Sequence, residues 1–188
     1  MNSQSATQPS KTIGFLGFKE FENSNAYRGA ILVTDILGKP IEFRCTAPVR
    51  PSPLQRTLYG SSLIPHILAE LIGLPLLSSI NEKPEIILVA DERYFELRHK
   101  ISIPLIQATK ACLKPTQSAG NDASIFTLKP VDNKFPQIDI HTNSRFQVDL
   151  ESCGDLLRDL CGQWDLTEPF QRLAEGLQYV HDERVMES

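Results

Sequence analysis

An α+β fold, with a mostly antiparallel sheet, one packed central helix and a C-terminal helical pair, is what this 188-residue sequence predicts. Three observations carry that prediction. Strand-like runs come in neighbouring pairs joined by short turns. Apolar residues recur at helical spacing in a long central stretch and again near the C-terminus. The regular strand–helix–strand alternation of a doubly wound fold is missing. The length suits a single domain with room for a real core, and 41% hydrophobic residues argue against a wholly disordered chain.

Residues 1–11 (MNSQSATQPSK) hold no apolar cluster, so they read as a disordered tail and not as a secretory signal. Residues 12–150 are expected to form the sheet domain, and 151–188 a helical segment packed on it. A β-like run opens near Thr12 with Ile13, Phe15 and Leu16, broken by Gly14 and Gly17, and Glu20–Ala26 reads as a polar turn. Ala30–Thr34 and Pro40–Thr46 form a hairpin across Asp35–Lys39, where Gly38 can take positive φ. In its second strand Ile41, Phe43 and Cys45 alternate with Glu42, Arg44 and Thr46, one set for the core and one for charge. Three prolines make Pro48–Pro53 a stiff extended loop. The helix behind it carries Leu63, Ile64, Ile67, Leu68, Leu71 and Ile72, capped by Ser61 or Ser62 and stopped by Gly73 and Pro75.

Glu85–Ala90 is a continuous apolar run of the kind buried on both faces. Ile101–Ala108 reads as a strand that Pro104 demotes to an edge or bulge. Lys114–Asp122 is a loop. Ala123–Leu128, Gln137–His141 and Phe146–Leu150 then suggest a meander. At the end, Ser152 with Asp155 resembles a capping box ahead of Cys153, Leu156, Leu157, Leu160 and Cys161. Thr167 caps a last helix whose buried face is Phe170, Leu173, Ala174 and Leu177.

The net charge of −4 argues against a whole-chain polyanion binder, but it is unevenly spread. Ile36–Gly60 carries +3, and Arg145–Ser188 carries −6. Cys45, Cys112, Cys153 and Cys161 form no C-x-x-C pair and sit among apolar neighbours, as small buried hydrophobes do in a reducing cytoplasm. Pro65, His66, Glu70 and Pro75 interrupt the greasiest stretch, so no membrane span is expected.

Four groups could carry chemistry. Asp35 with Glu42-Phe43-Arg44 has the acid and acid-x-base character of metal-dependent nucleases, but the short spacing, Arg in place of Lys and Gly38 favour a turn aspartate beside a solvated charged strand face. Lys39, Arg44, Arg50 and Arg56, with Tyr59 as a stacking surface, could bind phosphate or an acidic protein. Asp91-Glu92-Arg93 follows the buried strand, where many sites form, yet no nucleophile or base stands near it in sequence. His66, His99, His141 and His181 are dispersed, so no metal site and no cofactor are expected. The phosphate-loop, dinucleotide, nucleophile-elbow and H-E-x-x-H patterns are absent.

Leu32-Val33-Thr34-Asp35, Gly38–Arg44, Pro48-Val49-Arg50-Pro51, Gln55-Arg56 and Leu58-Tyr59-Gly60 together resemble a group of small uncharacterised bacterial proteins. The resemblance implies a bacterial unit of hairpin, Pro-rich loop and helix, and no activity. Charge segregation without a chemical site makes a non-enzymatic interaction module the leading expectation: a cytoplasmic component of a larger bacterial assembly with a protein partner and no membrane. The alternative is a nucleic-acid or nucleotide-binding protein using Lys39, Arg44, Arg50, Arg56 and Tyr59, extending to a metal-dependent nuclease through Asp35 and Glu42.

Overall fold

Alternating apolar residues build the first three strands. β1 (Thr12–Phe21) sends Ile13 and Phe15 to one side and Leu16 to the other. It pairs antiparallel with β2 (Ala26–Asp35), from Thr12 opposite Asp35 to Phe21 opposite Ala26. In this computed structural model, which describes residues 11–22, 25–111, 125–130 and 134–186, the strand runs unbroken through Gly14 and Gly17. Glu20, Phe21 and Ala26, expected in a turn, belong to the strands. Residues 1–10, Cys112 and the Lys114–Asp122 loop lie outside the described residues.

The expected hairpin between β2 and β3 (Pro40–Cys45) is present. Asp35 Oδ1 accepts the Leu37 and Lys39 amides at 2.9 Å each, and Gly38 takes φ 78°, which a side chain would resist. β3 is the sheet edge, so its two-faced burial is weaker than its alternation suggests: Ile41 and Phe43 stay 45% and 39% exposed.

The central helix is longer than expected at both ends. It starts at Pro53, where Ser52 and Gln55 form a capping box, and runs to Ser79 as α1 (Pro53–Ser79, 27 residues). Gly73 and Pro75 do not stop it. Ile67–Gly73 forms a π-helical turn in which the Leu74 amide reaches back to the Ala69 carbonyl, and the wider turn absorbs the proline. By length and composition alone α1 could cross a membrane, contrary to the sequence expectation. Here Leu68, Ile72 and Leu76 bury it against the sheet.

β4 (Ile86–Val89) is fully buried, as its composition requires, and β5 (Leu105–Lys110) lies beside it. β5 is an interior strand and not an edge, because Pro104 precedes it: the ring costs no ladder donor, and the Pro104 carbonyl accepts the Ile87 amide at 2.9 Å. β6 (Phe126–Leu128) and β7 (Ile138–His141) complete a seven-stranded sheet in the order β3-β2-β1-β4-β5-β7-β6. The pairs β1–β4 and β4–β5 are parallel, and the other four are antiparallel.

Between β4 and β5 stands the short helix α2 (Phe95–Arg98). The third strand of the expected meander is helical instead. Asn143 caps a single turn at Ser144–Phe146, and α3 (Val148–Cys161) begins ahead of the expected Ser152 cap. The reason is Asp149: its carboxylate takes Arg98 Nε at 2.7 Å, Arg98 Nη2 at 2.9 Å and the Leu105 amide at 3.1 Å. That fixes the first turn of α3 against α2 and β5. α4 (Glu168–Met186) follows the break at Gly162 and Trp164.

Helices cover both faces of the sheet. α1 and α2 pack on Leu16, Ile31, Val33, Ile87 and Val89. α3 and α4 pack on Ile13, Phe15, Leu32, Ile86 and Leu88 through Leu157, Leu160, Leu173 and Leu177. Gly29 permits the closest approach, since a Cβ there would stand 2.0 Å from Ile72 Cγ2. Arg28, fully buried in β2, donates to the Thr46 carbonyl at 3.2 Å and to the Val180 carbonyl of α4 at 3.3 Å.

Candidate functional site

β4 ends at Val89, opposite Leu16, while its parallel neighbour β1 runs on to Phe21, and a crevice opens beside β1 where β4 leaves it. Gly17 of β1 stands next to Ala90, just beyond β4, and Asp91 follows. Gly17, Phe18, Asp91, Tyr94, Leu173 and Ala174 are among the residues lining a cavity of about 310 Å³ there. A Cβ on Gly17 would lie 3.0 Å from Leu173 Cδ2, so the leucine would have to give by a few tenths of an ångström.

Asp91 caps the turn after β4 by accepting the Arg93 amide at 2.9 Å, and it also holds the Arg93 guanidinium, with Nη2 at 2.6 Å from Oδ2. Burial works against its charge, but the Arg93 hydrogen bonds and charge outweigh burial and keep the carboxyl below its ordinary value. The guanidinium lies 5.2 Å from the Phe18 ring centroid. Tyr94 is fully buried, its hydroxyl has no partner among the described residues, and burial pushes its pKa well up.

The Pro-rich loop reaches the same end of the sheet. Val49 bridges to Tyr27 on β2, whose hydroxyl donates to Glu20 of β1 at 2.8 Å and also meets Arg56. Glu20 is three residues along β1 from Gly17, roughly 10 Å. Arg56 donates to Asn25 as well. Arg50, Pro51, Gln55, Tyr59 and His66 line a groove of about 80 Å³, with the Tyr59 and His66 rings 4.8 Å apart and Tyr59 40% exposed.

Of the sequence candidates, Arg50 and Tyr59 therefore share a groove, while Arg56 turns to Asn25 and Tyr27. Lys39 sits in the far β2–β3 turn, roughly 26 Å away by the eight strand steps from Tyr27 to Asp35. Arg44 lies on β3, paired with Glu42 at 2.8 Å. Asp35 is committed to its turn, and Glu42 accepts the Asn81 and Glu82 amides at 2.9 and 3.1 Å. Hydrogen bonding from the Glu82 amide outweighs desolvation and holds the Glu42 carboxyl below its usual range. Two carboxylates spent on backbone amides do not fit a metal site. No group of three or more His, Cys, Asp or Glu among the described residues could hold a metal ion. Burial raises the Cys153 and Cys161 thiols, which keeps them protonated.

The cavity residues Gly17, Phe18 and Tyr94 were not singled out from sequence. The usable signal was Asp91 directly after a buried strand; its neighbours come from β1 and α4, distant in the chain.

The class that this fold and crevice define is a mixed open sheet, helix-covered on both faces, with its cavity at parallel strand ends. Solved structures of that class sharpen it. Endonuclease V from Bacillus subtilis superposes with a TM-score of 0.58 at 13% identity, covering 94% of this chain and 84% of that one. Endonuclease V from Ciona intestinalis, in complex with a 24mer DNA containing an inosine followed by a ribo-adenosine, gives 0.59 at 12% identity, covering 93% and 87%. The Streptomyces avermitilis enzyme gives 0.56 at 11%, covering 94% and 84%. No family model and no curated protein matches the sequence.

At these identities the likeness establishes the fold. It overturns the expectation of a non-enzymatic interaction module. Charge segregation misled for a structural reason. The acidic C-terminal segment lies back on its own sheet through Leu173 and Leu177, and its Arg172 donates to the Gly38 carbonyl at 3.0 Å.

Proposed function

We propose that this chain is a nucleic-acid-binding protein that takes a strand across the carboxyl end of β1, from the Arg50–Tyr59 groove toward the Asp91 cavity. The observation that carries this reading is the likeness over 93% of the chain to an endonuclease V solved with DNA. Supporting it, Arg50 offers a planar fork for phosphate, and Tyr59 offers a ring face that a base of any sequence can stack on.

The test is fluorescence anisotropy with labelled single- and double-stranded oligonucleotides at 50 and 200 mM salt, wild type against Arg50→Ala/Tyr59→Ala. Wild type should bind with a clear salt dependence. The double variant should lose about tenfold or more from stacking alone, with the single-strand salt slope smaller by about 0.7. Equal binding by both proteins, or no wild-type binding at 50 mM salt, refutes the reading.

A further inference from the structure

The first two turns of α1 are helical without burying anything. Ser52 and Gln55 form the capping box and Pro53 takes the first helical position, so local chemistry sets Pro53–Tyr59. No residue in that span is buried, and Leu54 and Leu58 stand 66% and 72% exposed. Four residues apart, the two leucines lie side by side on one helix face, about 5–6 Å between Cβ atoms. Gln55 and Tyr59 form the next stripe around the helix and line the groove with Arg50, His66 and Leu71. Arg56, on the side away from the leucines, turns to Asn25 and Tyr27. The leucines therefore border a groove that already holds a ring face and a guanidinium. Arg50 makes no hydrogen bond or ion pair among the described residues.

Charge selects the occupant of this surface. Between Glu42 and Glu70 there is no acid, in a chain that holds 23, while the same stretch carries Arg44, Arg50, Arg56 and His66. An acid-free basic segment attracts a polyanion. A second copy of this chain would instead bring the same arginines against one another. Base pairing then decides the form of the polyanion. In a duplex the bases stack on one another, and the exterior presents phosphates and groove edges. Leucines pressed on that exterior would strip water from phosphate with no apolar surface covered in return. In a single strand every base has an open π-face for aromatic and apolar side chains to cover.

We infer, on the nucleic-acid reading above, that the Leu54–Leu58 face and Tyr59 are a platform for unpaired bases, with Arg50 on the phosphates, so that the substrate class of this groove is single-stranded nucleic acid.

Anisotropy with a labelled 20-nucleotide single strand and with the duplex of the same sequence, at 50 and 200 mM salt, tests it on wild type and Leu54→Ala/Leu58→Ala. Wild type should bind the single strand about tenfold tighter than the duplex, or more. The leucine variant should lose about tenfold for the single strand, at an unchanged salt slope because no charge is removed. Its urea midpoint should match wild type, since both leucines are exposed and alanine keeps the helix. Equal or tighter duplex binding by wild type overturns the inference, and so does wild-type single-strand affinity in the leucine variant. Light scattering that finds a wild-type dimer, made monomeric by the same substitutions, assigns the leucines to a second copy and overturns it as well. In each of these cases, binding that is still lost in Arg50→Ala/Tyr59→Ala leaves the proposed function standing. Absent wild-type binding sinks both.

Discussion

Replacing Asp149 with asparagine keeps the volume of the side chain and removes its charge. Asp149 is 2% exposed and serves three donors, Arg98 Nε, Arg98 Nη2 and the Leu105 amide. The substitution leaves Arg98 half-buried over the Phe146 ring at 4.4 Å without its counter-charge, and points an amide donor at a guanidinium. Breaking a buried pair from one side costs about 3–5 kcal/mol. Losing a carboxylate in the first turn of α3 adds about 0.3–1 kcal/mol. With a urea m-value of about 2.5 kcal/mol/M, the unfolding midpoint should fall by about 1.3–2.4 M. Urea titration followed by far-UV circular dichroism reads this directly. Arg98→Met/Asp149→Leu should recover most of the loss, because removing both charges leaves no orphan. A midpoint shift below about 0.3 M for Asp149→Asn refutes the view that this carboxylate holds α2, β5 and α3 together.

Gly29→Ala places a methyl 2.0 Å from Ile72 Cγ2, so α1 must lift from β2; a loss of about 1–3 kcal/mol is expected by urea titration, and wild-type stability contradicts it. His141 is held below its ordinary value, chiefly by burial, with Glu92 working against it. As pH falls, the unfolded imidazole takes its proton first, near pH 6.5. The stability His141 contributes is therefore complete above that pH and is lost as pH drops toward the folded value. The urea midpoint should decline between pH 7 and 5.5, and His141→Gln should flatten the decline; identical pH profiles for the two proteins rule out this assignment.

Where a residue pattern had one reading, it was legible. The hairpin around Gly38, the buried run Ile86–Val89 and the face Leu173–Leu177 follow from local periodicity and turn chemistry. Phe146-Gln147-Val148-Asp149-Leu150 alternates like a strand, yet a contact 51 residues away, Arg98 with Asp149, makes it a helix start. Pro75 was legible as a stop only under α-helical hydrogen bonding, and the π turn at Ile67–Gly73 changes that bonding. At the candidate site, Arg50, Arg56 and Tyr59 were accessible because they lie within ten residues of one another. Lys39 and Arg44 are near them in sequence but not in space, because a strand spans roughly 3.3 Å per residue.

Arg28 ties the sheet to α4 across 152 residues, from β2 to the Val180 carbonyl. A hairpin of β1, β2 and β3 is local in sequence and would otherwise be an early, self-sufficient nucleus. Its guanidinium is buried near the start of β2, where burial is costly without partners, and the Thr46 and Val180 carbonyls accept from it. Leu173 and Ala174 of α4 form one wall of the cavity beside β1, so its shape depends on the docking of the same helix that supplies the Val180 carbonyl.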